Sequence, residues 1–185
     1  MGAAQYLRGD ALSALGDRAG AYDAFTQALA ILRPFRNSLW LHANLLILAR
    51  TLVAEGLSHA ALKVMNEDIE VAARLTPSIY HAEALVARGG LLAKQDPGAA
   101  EADATRATAL LERMPEGVAR QWVTEQLRYV RAVTVSRRRP AEAVALLDTV
   151  VTWFDTRNAY RHVAALVERA RAWMELGNAS SAAAD

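Results

Sequence analysis

Apolar residues recur at helical spacing along most of the chain. Leu45, Leu48, Ala49 and Leu52 fall at i, i+3, i+4 and i+7, and Leu166, Ala170 and Trp173 trace the same stripe with Arg169 interrupting it. That period lines one face of an α-helix. The stripes are separated by breakers. Gly16-Asp17, Gly56-Leu57, Pro97-Gly98, Arg138-Arg139-Pro140 and Gly177-Asn178 stand at intervals of 40, 41, 41 and 39 residues. Self-similarity at a fixed period of this size marks a repeat architecture. Each unit reads as helix, tight turn, helix and a looser turn near Pro34, Pro77, Pro115 and Asp155. The pattern predicts helices over 3–15, 19–33, 37–55, 58–74, 77–94, 97–113, 116–136, 140–154 and 158–176. The expected chain is all-α, one array of about four and a half antiparallel hairpins at 1–36, 37–76, 77–115, 116–155 and 156–185.

Local chemistry supports the division. Gly16, Gly56 and Gly177 suit the left-handed conformation that closes a helix, with Ser58 and Asn178 placed to cap the next one. Pro77, Pro97 and Pro140 suit first-turn positions, where a missing N–H costs nothing, with Thr76 and Asp96 ahead as caps. Ala21, Ala61, Ala102, Ala143 and Ala182 recur in the second helices, and Phe25, Met65 and Leu147 follow four residues later in three of them. A small residue there lets helices approach closely while the large one fills the adjoining hole.

The segment from Leu7 to Asp17, followed by Ala21, Phe25, Ala28-Leu29 and Pro34, resembles a tetratricopeptide (TPR) repeat, with Gly9, Ala21 and Phe25 at the glycine, alanine and aromatic positions. Ala164 to Asn178 fits too, the middle less well. Gln5 and Arg8 stand in place of Trp and Leu, Arg106 in place of the third aromatic, and Arg131 in place of the fourth glycine. The long unit is similar to the repeat arms of large bacterial regulators and of proteins carrying a caspase-like CHAT protease domain, and Ala165 to Asn178 resembles the repeats preceding that domain. The resemblance implies a right-handed superhelix and a non-catalytic module that binds a protein or peptide, or another domain of its parent. The alternative it implies is a ligand-sensing arm of a bacterial transcription regulator. The family's groove positions fall on Tyr6, Asp10, Arg50, Glu83, Lys94, Arg128 and Arg171.

Composition narrows the chemistry. Of 185 residues, 40 are Ala and 24 Leu, while Gly and Pro total only 15, a mixture that favours helix. Nineteen Arg and two Lys nearly balance the acids, leaving a formal charge of +1. Cysteine is absent, which removes disulfides, thiolate metal sites and thiol nucleophiles. His42, His59, His81 and His162 are dispersed, with no HExxH, and read as surface or packing residues rather than metal ligands. Gly89-Gly90 lacks the strand and the Lys-Ser/Thr of a phosphate loop and reads as close helix packing. Glu67-Asp68 and Glu101 with Asp103 read as solvated helix faces. The cluster Arg128, Arg131, Arg137, Arg138, Arg139 lies near Trp122 and Tyr129, but the near-neutral total argues against nucleic acid and for a solvated turn.

The expectation is therefore no catalytic residue, no metal, no cofactor and no nucleic acid. The longest uncharged run, Asn37 to Ala49, is too short to span a bilayer. A cytoplasmic location is expected. After Asn178, Ala179 to Asp185 is too short to cover Leu166 and Trp173 as a second helix would. The chain accordingly reads as a piece of a larger protein, with an apolar end open to self-association.

Overall fold

The computed structural model describes residues 1–185. They form ten α-helices and no strand: α1 (Gly2–Ala14), α2 (Arg18–Leu32), α3 (Leu39–Ala54), α4 (Ser58–Ala72), α5 (Ile79–Leu92), α6 (Pro97–Glu112), α7 (Val118–Val135), α8 (Pro140–Phe154), α9 (Ala159–Glu175) and α10 (Ala179–Ala184). The nine expected helices are present within a few residues at each end. Two compact units result, Met1–Arg88 and Gly89–Asp185, the boundary falling inside α5.

The tight turns obey the residues in them. Gly16, Gly56 and Gly177 take φ of 82°, 76° and 72°, a region where a side chain would strain the backbone. Asp17, Asp96, Asn158 and Asn178 each accept a backbone N–H three residues on and so cap α2, α6, α9 and α10. Two expected caps differ. Ser58 is the first residue of α4, and Leu57 before it offers no side-chain oxygen. Pro77 follows a cis peptide bond from Thr76 and lies ahead of α5, in the turn rather than in the helix's first turn.

In the first unit α1 to α4 pack in sequence, and α1 also reaches α3. The core of this unit is built around Phe25, Leu41, Leu45, Met65 and Leu85, none more than 1% exposed. In the second unit α6 to α10 pack in sequence, around Val123, Ala143, Leu147, Val150 and Phe154.

Burial corrects the repeat register. The close-packing alanine of α6 is Ala100, fully buried, with Ala104 four residues later, whereas Ala102 and Arg106 face solvent. The second-helix series is thus Ala21, Ala61, Ala100 and Ala143. In the first helices the small residues are Gly9, Ala49, Gly89, Ala132 and Ala172, all buried. Arg131 stands one position away from that series, and its guanidinium donates to Thr108 Oγ1 at 2.9 Å. The third repeat has Ala104 where the first has the Phe25 ring, and the fourth has Ala132 where the first has Gly9, so the family pattern fades there while the packing persists. Leu166 and Trp173 are also better covered than expected, both partly buried against the core of the second unit.

The glycines are unequal. A methyl on Gly9 would lie 2.5 Å from the Phe25 ring, while on Gly89 and Gly90 the nearest atoms, both of Val130, lie at 3.4 and 3.6 Å. Gly9→Ala is therefore expected to destabilise the chain by about 1–3 kcal/mol through overpacking. Gly90→Ala, exposed and in the last turn of α5, is expected to stabilise by up to about 0.5–1 kcal/mol. Urea denaturation of the two variants checks both signs.

Candidate functional site

Polar residues of the odd-numbered helices gather with residues of neighbouring helices and turns inside each unit. In the first, His42 of α3 is 2% exposed, and its Nδ1–H donates to Asp68 Oδ1 of α4 at 2.8 Å, while its Nε2 lies 3.7 Å from Glu83 Oε2 of α5. Tyr80 meets the imidazole edge-on at 5.4 Å. Burial alone would lower the His42 pKa. The hydrogen bond and charge of Asp68, then of Glu83, outweigh it and carry the pKa up to about 9. Burial in turn pushes the Asp68 carboxyl up, against the pull of His42.

This set overturns part of the sequence reading. Asp68, expected on a solvated face, is fully buried, and its neighbour Glu67 holds the Arg33 guanidinium through two bonds of 2.9 and 2.8 Å. Asp103 is likewise buried at 2%, while Glu101 lies 3.9 Å from Arg131 Nε.

Also in the first unit, Tyr6 of α1 lies against Phe25 and Trp40, ring centroids 6.1 and 5.8 Å apart. Burial raises its pKa, Asp10 adds to the rise and Arg50 opposes it, so these three expected groove residues share one electrostatic neighbourhood. Trp40 stays 45% exposed beside them.

In the second unit the centre is Glu168 of α9, which no sequence expectation singles out. It is 7% exposed, and its Oε1 accepts from Lys94 Nζ at 2.8 Å and from the guanidinium of Arg171. Two of the expected residues are thus joined by a buried third. Arg128 pairs with Glu125 one turn earlier on α7 in the same i, i+3 arrangement. Repetition of a Glu-x-x-Arg pair in successive first helices is the signal that could have found it. Tyr129 is pushed up to about 12, first by burial, then by Glu168 and Tyr160, with Arg171 and Arg161 pulling the other way. Arg161 lies over the rings of Trp122 and Phe154 at 5.7 and 5.8 Å, within cation–π reach.

Beside Glu168 opens a cavity of about 900 Å3. Lys94, Arg137, Arg138 and Arg171 line it together with Glu168, Glu175 and Asp185, over an apolar floor that includes Ala93 and Val133. The volume is at the large end for ligand pockets, and most of the charged lining is exposed. No group of three His, Asp or Glu is placed to hold a metal ion. No helix is long and apolar enough to cross a membrane.

No family model matches the chain, and no curated protein matches it. Solved structures do. A kinesin-light-chain protein of Podosopora anserina with nearly identical TPR-like repeats aligns over 98% of this chain and 89% of its own, at a TM-score of 0.62 and 20% identity. A variant of that protein carrying one substitution gives 0.63 and 19% over the same shares. The fold is therefore all-α and of the TPR-like repeat kind.

The His42 set gives a pH prediction. Between pH 6.5, the ordinary imidazole value, and about 9, the folded chain holds a proton that the unfolded chain has lost. The stabilisation is complete below that window and disappears as pH rises through it, by up to roughly 1.4 kcal/mol per pH unit. Urea midpoints are expected to fall from pH 6.5 to 9, and the fall is expected to flatten in His42→Gln.

Proposed function

We propose that the chain is a non-catalytic protein-interaction module that holds a polypeptide, on another chain or on a further domain of its parent, against its odd-numbered helices. The observation that carries this reading is the convergence of Lys94 and Arg171 on Glu168 at the rim of an open cavity. Fixed, exposed cations beside apolar surface suit peptide carboxylates and side chains. The buried pair of His42 with Asp68 is closed to substrate.

In this reading Tyr6, Asp10, Arg50 and Glu83 serve the first unit and Lys94, Arg128 and Arg171 the second. The TPR-like fold supports it, since stacked hairpins present wide surfaces rather than deep active sites. The finer proposal is a regulatory or partner-binding arm of a larger bacterial protein in the cytoplasm, of the type that accompanies a CHAT protease domain. The second reading, a small-molecule sensing arm of a transcription regulator, draws on the cavity volume. The exposure of Lys94, Arg171, Met174 and Glu175 around it favours a polypeptide.

Affinity capture with the full chain tests the proposal. Alanine at Arg50, Arg128 and Arg171 together is expected to weaken a captured protein partner by at least about tenfold, or about 1.4 kcal/mol. Undiminished retention by this variant would contradict it.

A further inference from the structure

The three arginines between α7 and α8 are not equivalent. Arg139 pairs with Glu142 in the first turn of α8 at 2.7 Å and lies outside the cavity. Arg137 and Arg138 line the cavity, are exposed, and have no ion pair or side-chain hydrogen bond. Their backbone is held. The N–H groups of Arg138 and Arg139 both donate to Val135 O, at 2.9 and 2.8 Å, Ser136 Oγ donates to Val133 O at 3.0 Å, and Pro140 opens the next helix. The two guanidinium groups therefore leave a fixed turn.

The rest of the lining does not neutralise them. Glu168 is already shared by Lys94 and Arg171, one carboxylate for two cations. Asp185 is engaged by Arg169, with bonds of 2.9 and 3.1 Å to its two oxygens, and shares that guanidinium with Asp148 at 2.8 Å. Glu175 is the remaining acid. Among the charged side chains that line the cavity, Lys94, Arg137, Arg138 and Arg171 exceed Glu168, Glu175 and Asp185 by one positive charge, and Arg137 and Arg138 are the two cations without an acidic partner. Beside them lie Val133, Val167 and Met174, the last two 44% and 60% exposed.

We propose that this corner of the second unit is a docking site for an acidic amphipathic segment of a partner protein, its carboxylates on Arg137 and Arg138 and its apolar side chains on Val133, Val167 and Met174. The proposal rests on the reading of the chain as a protein-binding module and adds a place and a chemistry to it. Carboxylates bind guanidinium groups in bidentate fashion, and exposed cations lose little hydration in the exchange. The apolar wall selects for a segment that alternates acid with aliphatic residues over one that is merely acidic.

Fluorescence anisotropy on the full chain tests it, with a labelled peptide of about twelve residues alternating Leu and Glu, and a counterpart with Lys for Glu. The Leu–Glu peptide is expected to bind, more weakly as salt rises, and the Leu–Lys peptide is not. Arg137→Ser with Arg138→Ser is expected to weaken binding at least about tenfold, and Arg139→Ser to leave it within about twofold. The paired Arg→Gln changes serve if the serine variant does not melt cooperatively. Failure of the unaltered chain to bind, equal binding of the two peptides, an equal loss in Arg139→Ser, or full displacement by free glutarate would each overturn the proposal. The module reading has its own test: partner capture lost on substituting Arg50, Arg128 and Arg171, with no peptide bound here, leaves the module and removes this site.

Discussion

Close approach of helices through small residues is the constraint on which the rest depends. Gly9 leaves no room for a methyl because Phe25 of the facing helix occupies that space, and Gly89 lies against Val130 and the Ala100 carbonyl. Ala49, Ala132 and Ala172 hold the same place in their helices, fully or almost fully buried. Where one partner is minimal the other can be large, as Phe25, Met65 and Leu147 are, and ridges then interlock without voids. A chain with so much alanine would otherwise have little to bury, since an alanine side chain removes little apolar area from water.

That packing also decides where polar groups can go. Helices held this closely leave short, lined gaps, and acids or histidines caught there must find partners. His42 finds Asp68 and Glu83, Glu168 finds Lys94 and Arg171, and Glu125 finds Arg128. In the second unit the cations bonded to the buried acids remain half exposed, so the acid is fixed and the cation faces outward. The surface charge is positioned from below rather than left mobile, which lowers the entropy lost when a partner binds.

The sequence discloses the helices because their punctuation is local: a left-handed glycine, an Asp or Asn cap, a proline in the first turn. It is less legible wherever the signal lies in the third dimension. Even spacing points to Ala102 as the packing residue of its helix, yet Ala100 is the buried one. The repeat there is short by one residue and then long, so even counting slips. Arg106 and Arg131 read as departures from the repeat for the same reason. Asp68 reads as solvated beside Glu67, since adjacent helix residues point in different directions and the sequence does not say which is inside. Of the site, the exposed cations are readable from position, whereas Glu168, which joins two of them, is not. The difference between Arg139 and its two neighbours depends on Glu142 and on the cavity, and neither can be seen in a run of three identical letters.

In the proposed reading a polypeptide lies against the odd-numbered helices of a unit and not against the exposed faces of the even-numbered ones. Site-specific photo-crosslinking in cells separates the outcomes, with the reactive side chain placed in turn at Arg50, Lys94 and Arg171, and at Thr26, Thr105 and Thr152, exposed on even-numbered helices. A discrete crosslinked protein is expected from the first three positions and none from the last three. Equal labelling from both sets, or crosslinks only from the outer threonines, would contradict it.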